Sequence, residues 1–155
     1  MNSKRKIIAL VILGSILGLS GCNSGEDVTE SDSLYVKANT YQAPQFSVGK
    51  DKQVKVKASL QGGNPIEAYI LDEEDYRQWV ATTQNGDFGN ASLVYIKSIT
   101  PLNGVHETDW FALAEGNYHI LFENTAFSAI KPTLAGETSS VSYSVLTQAV
   151  PAKSE

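Results

Sequence analysis

The stretch 53-QVKVKASL-60 places Val54, Val56, Ala58 and Leu60 at alternate positions, with Lys55, Lys57 and Ser59 between them. Side chains of an extended strand point alternately to its two faces, so this pattern predicts a β-strand with one buried and one wet face. Near the other end of the chain, 141-VSYSVLT-147 repeats it, with Val141, Tyr143 and Val145 alternating with Ser142, Ser144 and Leu146.

Working outward, further strands are predicted at 66-IEAYIL-71, 91-ASLVYIKSI-99, 109-DWFAL-113 and 117-NYHILFEN-124, with 41-YQAPQFSV-48 supplying another. Glycine, proline and asparagine clusters fall between them at 61-QGGNP-65, 84-QNGDFGN-90, 101-PLNG-104, 114-AEGN-117 and 132–136. Short strands at this spacing predict an all-β fold, an antiparallel β-sandwich of jelly-roll or Ig-like type.

One segment departs from the two-residue period. In 71-LDEEDYRQWVA-81, Asp72 stands where a helix N-cap stands, and Glu73, Glu74 and Asp75 follow as an acidic first turn that suits the helix dipole. Tyr76, Trp79 and Val80 then share a face, so one short helix is expected near residues 73–81, lying over one end of the sheets. The acidic run lacks the alternating spacing and glycine of an EF-hand loop, which favours a solvated helix start over a calcium site.

The chain is 155 residues long, with twelve Lys and Arg against seventeen Asp and Glu and a formal charge of -5. It holds a single cysteine, Cys22, so no internal disulfide is available. Residues 1–21 run from the basic Lys4, Arg5 and Lys6 through an uncharged apolar stretch, 7–19, to Ser20 and Gly21. That is the order of a secretory signal peptide, and its apolar run would rise only about 20 Å as a helix where a membrane span needs about 30 Å.

The ending Leu19-Ser20-Gly21-Cys22 resembles the lipobox of bacterial lipoproteins. The resemblance implies a diacylglycerol on the Cys22 sulfur, cleavage between Gly21 and Cys22, and a mature protein held in its membrane by its acyl chains, palmitate among them. Asn23 follows the cysteine in place of the aspartate associated with inner-membrane retention, which implies the outer membrane where the host has one. Loss of the three basic residues with the signal leaves nine against seventeen and takes the formal charge to -8. A domain so acidic is a poor partner for nucleic acid or an anionic lipid surface.

The organisation expected is therefore a signal peptide at 1–21, a flexible acidic tether at 22–33, a β-sandwich at 34–148 and a disordered tail at 149–155. The tether is inferred from 23-NSGEDVTESDS-33, too polar to bury apolar surface. The order of the sandwich segments, with the acidic Asp72 to Tyr76 stretch and Gly116-Asn117-Tyr118 leading into an apolar strand, resembles GOLD (emp24-like) domains and bacterial pre-peptidase C-terminal domains over roughly residues 46–147. That resemblance implies adhesion, cargo or accessory binding and carries no catalytic residues. In the sequence alone, Gly116 reads as a turn position needing a positive φ.

Three sets of residues could carry chemistry. His106, Glu107, Asp109 and His119 could supply a divalent metal site, although no pair of them has the spacing of His-Glu-x-x-His; histidines hydrogen-bonded near a turn are the simpler reading. Tyr69, Trp79 and Tyr95 could form a flat aromatic platform for carbohydrate or peptidoglycan. Cys22 is the lipidation site. The function expected is a non-enzymatic binding or accessory module of the cell envelope with an envelope protein as partner and no cofactor; the alternatives are a carbohydrate-binding sandwich and a metal-dependent hydrolase.

Overall fold

A computed structural model describes residues 25–85, 93–132 and 136–151. Its elements are β1 (Asp27–Lys37), β2 (Thr40–Gln42), β3 (Gln45–Val48), β4 (Lys52–Gly62), β5 (Ile66–Asp72), α1 (Glu73–Asn85), β6 (Lys97–Leu102), β7 (Val105–Glu107), β8 (Phe111–Ala112), β9 (Gly116–Asn124) and β10 (Thr138–Ala149). They form an antiparallel β-sandwich with one helix. The first sheet runs β1-β10-β4-β7, with β8 also on β4; the second runs β2-β9-β5-β6, with β3 also on β9.

The alternation in β4 and β10 does what its period requires. Val54, Val56, Ala58, Val141, Tyr143 and Val145 point inward and meet Phe46, Ile66, Ala68, Ile70, Ile120 and Phe122 of the second sheet. Ser142 and Ser144 are not part of that core and pair across the strands with Ser59 and Lys57. Inside the core Phe46 stacks on Tyr118 with ring centroids 5.7 Å apart. The Tyr118 hydroxyl donates to the Ala114 carbonyl at 2.9 Å and so pins the turn entering β9. Gly116 does not adopt a positive φ; it is the first residue of that strand.

β1 corrects the expected tether. Residues 27–33 are strand, paired along β10 from Asp27 opposite Thr147 to Lys37 opposite Thr138. The strand lies at the sheet edge with most of its side chains in water, and only its end contributes to the core, through Leu34 and Val36. Its order comes from backbone pairing, which composition does not reveal. At the other end β10 runs to Ala149, one residue past the expected boundary. The strand expected over 91–99 begins only at Lys97, with Ile96 N bonded to Ile70 O just before it.

Helix α1 starts where the sequence places it and runs on to Asn85. Asp72 Oδ1 accepts from the backbone N–H groups of Glu74 at 2.9 Å and Asp75 at 2.8 Å, the geometry of an N-cap. It lies across the outer face of the second sheet rather than over one end. Trp79 packs with Leu71 of β5 and Leu121 of β9 in a separate small cluster bordered by Tyr41, Tyr69, Tyr76, Val80 and Leu93. This cover explains why β5 and β9 read as nearly continuous apolar runs: they are buried on both faces. No helix among the described residues is long and apolar enough to cross a membrane.

Candidate functional site

Because β5 and β9 bury residues 66, 68, 70 and 118, 120, 122 inward, the odd-numbered positions face α1. Helix α1 covers only part of this outer face. Beside it lies a cleft of about 370 Å³, lined by Glu67 and Tyr69 of β5, Glu123 of β9, Trp79 and Thr83 of α1, Leu93, and the segment 126–129 with Lys131.

Glu67 and Glu123 face each other in register across β5 and β9. They are 1% and 3% exposed, and neither forms an ion pair with a described residue. Glu67 instead accepts from the backbone of the loop after β9, from Ala129 N to Oε2 at 3.2 Å and from Ile130 N to Oε1 at 3.4 Å. Glu123 Oε1 accepts from the Thr125 hydroxyl at 2.6 Å, and Thr125 Oγ1 in turn accepts from Phe127 N at 3.2 Å. The two carboxylates thus fasten the loop 125–131 as one wall of the cleft. Lys131 turns its ammonium to the Ala126 carbonyl, 2.6 Å away.

Burial is the main influence on Glu123 and holds its carboxyl above the usual range; the Thr125 hydroxyl opposes that, the facing Glu67 adds to it, and Lys131 opposes it. Burial likewise pushes the Tyr69 phenol up to about 12, against a hydrogen bond with Thr100 and with the help of the Glu67 charge. Phe127 on the loop wall is 45% exposed, and Val94, Tyr95 and Ile96, next to Leu93, are 53%, 49% and 40% exposed. The floor therefore presents two buried carboxyl groups, while exposed apolar side chains surround the mouth.

Of the three proposed platform residues, Tyr69 and Trp79 line this cleft, and Tyr95 packs against Tyr69 from outside it. They do not make a flat platform. Tyr69 and Tyr95 are tilted by 42° at 5.1 Å, and Trp79 is only 7% exposed and meets Tyr41 edge-on at 4.5 Å. A bulky indole on the apolar face of a helix is held by the sheet beneath it, which leaves only a small part of the ring open to the cleft.

The metal candidates are also dispersed. His106 is on β7 of the first sheet, with Nε2 3.1 Å from Asn103 Oδ1, and Asp109 shares a polar groove with it. Glu107 is taken by Lys55 at 2.7 Å and Lys57 at 3.4 Å. His119 belongs to the second sheet, where Tyr76 stacks on its ring at 3.9 Å and Glu73 Oε2 lies 2.9 Å from Nε2. Among the described residues no group of three or more His, Cys, Asp or Glu is placed to hold a metal ion. Cys22 lies outside the described residues.

Glu67 and Glu123 are the site residues that sequence reasoning missed. The signal was present as a lone acidic residue inside each of two apolar strands, 66-IEAYIL-71 and 117-NYHILFEN-124. What the sequence does not give is the register that sets them opposite one another.

No family model matches the chain, and no curated protein matches it. Among solved structures it is similar to the crystal structure of Aeromonas hydrophila PliG, a periplasmic lysozyme inhibitor of g-type lysozyme. The TM-score is 0.45 at 10% sequence identity, over 83% of this chain and 90% of that chain.

Proposed function

We propose that the protein is a non-enzymatic binding module of the bacterial cell envelope, lipidated at Cys22 and engaging an envelope protein through the cleft over β5 and β9. The observation that carries the reading is the cleft itself: a concave, partly aromatic site with a few converging polar groups, bordered by exposed apolar side chains. The address rests on residues 1–22, whose basic, apolar and small-residue zones end in the lipobox-like cysteine. With β1 beginning at Asp27, only residues 23–26 separate Cys22 from the sandwich. From Cys22 to Asp27 the chain reaches at most about 18 Å, so the domain sits close to the lipid. Anchoring of this kind concentrates a modest binder near a partner in the same membrane without adding contacts.

The experiment combines intact-mass analysis with crosslinked capture from native membranes, comparing wild type, Cys22→Ala and Phe127→Asp. The proposal expects an acylated wild type whose capture of one defined protein is lost in Cys22→Ala and weakened at least tenfold in Phe127→Asp with the fold intact. An unmodified wild type overturns the anchor. Undiminished capture by Phe127→Asp overturns the cleft.

A further inference from the structure

Resting on the reading of the cleft as a binding site, we infer that its occupant is a lysine side chain presented by the partner protein, its ammonium set between Glu67 and Glu123 and its stem lying along Tyr69 and Trp79.

The charge of the floor selects a cation. Two carboxylates in register, both almost fully buried and neither in an ion pair with a described residue, carry a repulsion that an entering positive charge relieves. Lys131 is the basic residue among those lining the cleft, and its ammonium is held at the Ala126 carbonyl. Burial raises the cost of the Glu123 carboxylate, with the facing Glu67 adding to it, and an ammonium at the floor offsets both.

The walls are a second and independent selection. Tyr69, Trp79 and Leu93 give the cleft an apolar flank that suits a four-carbon stem, and a ring beside an ammonium adds a favourable electrostatic contact. The arrangement of acceptors favours lysine over arginine. Both oxygens of Glu67 already accept backbone N–H groups, and one oxygen of Glu123 accepts from Thr125. A planar guanidinium fork seeks two open oxygens on one carboxylate, whereas a compact ammonium with three rotatable donors distributes them over two. Exposed Phe127, Val94 and Ile96 fit a protein surface around the inserted side chain better than a free amine in water.

The test is an NMR titration of the whole mature chain with Nα-acetyl-lysine methylamide, and in parallel with its uncharged analogue Nα-acetyl-norleucine methylamide. The inference expects the amides of Ala129 and Ile130 to shift with the lysine probe, at least tenfold weaker response to norleucine, and at least tenfold weaker lysine binding in Glu123→Gln. It also expects lysine binding to tighten as pH rises through the titration of Glu123 in the free protein. Equal responses to both probes would overturn the cation while leaving the cleft a binding site. No response of those amides to the lysine probe at 100-fold excess over protein overturns the lysine, and the membrane capture with Phe127→Asp then decides the cleft separately. The wild-type comparison of the two probes stands even if Glu123→Gln fails to fold.

Discussion

His119 Nε2 lies 2.9 Å from Glu73 Oε2, which ties the outer face of β9 to the first turn of α1. The other ring nitrogen, Nδ1, lies 3.3 Å from the Ala43 carbonyl, so both nitrogens face oxygen acceptors. Gln45 Nε2 donates to the same Glu73 oxygen at 3.2 Å. The contact therefore joins the helix to β9 and β3 at once, at the end of α1 where Asp72 caps it.

The hydrogen bond with His119 is the largest influence holding the Glu73 carboxyl below its ordinary range. A carboxyl lowered on folding contributes stability above its unfolded pKa, and that contribution is lost as pH falls through the folded value. Glu73→Gln is expected to lower the melting temperature at pH 6 and to approach wild type as pH falls below the ordinary carboxyl range of about 4. Thermal melts across that range check it; identical melting temperatures at pH 6 would show the contact to be idle.

Glu123 carries the opposite sign. Its carboxyl is raised by burial, so the folded state binds the proton more tightly than the unfolded chain, and stability falls as pH rises from the unfolded pKa through the folded one. Glu123→Gln is predicted to be at least as stable as wild type at pH 7 and to lose that advantage below about pH 4, the ordinary range of an unperturbed carboxyl. Denaturant titrations at the two pH values read the difference.

Trp79 closes the small cluster between α1 and the second sheet. Truncation of a buried tryptophan costs about 3–5 kcal/mol. Trp79→Ala is expected to fall in that range by urea denaturation, and to lower the α-helical far-ultraviolet signal before the sheet melts. Asp72→Ala, which removes the cap of the same helix, is expected to cost about 1 kcal/mol.

Glu67 anchors the loop wall through Ala129 and Ile130. Glu67→Ala leaves those two backbone donors without their acceptor, so their hydrogen exchange is predicted to accelerate at least tenfold relative to the amides of β10. Unchanged protection at both would mean that the loop is held by other contacts.

How far the sequence is legible follows from where each residue's order originates. Val54, Val56 and Ala58, like Val141, Tyr143 and Val145, announce their strands because one face meets the core and the other meets water. Asp72 announces the helix because capping is a local interaction. β1 is silent because an edge strand with polar faces gains its order from β10, more than a hundred positions away in the chain, as the bond from Thr29 Oγ1 to Val145 O shows. The cleft is half legible. Tyr69 and Trp79 stand out by type, but Trp79 is claimed by packing, and the partnership of Glu67 with Glu123 exists only once β5 and β9 are paired.

The most direct test of the cleft as the partner site is position-resolved photocrosslinking in living cells. A photoreactive amino acid is placed at Phe127 on the cleft wall and, separately, at Tyr35, which is 69% exposed on β1 of the other sheet. One discrete crosslinked species is expected from position 127, abolished by Glu123→Gln, and none from position 35. The same species from both positions, or from position 35 alone, would contradict it.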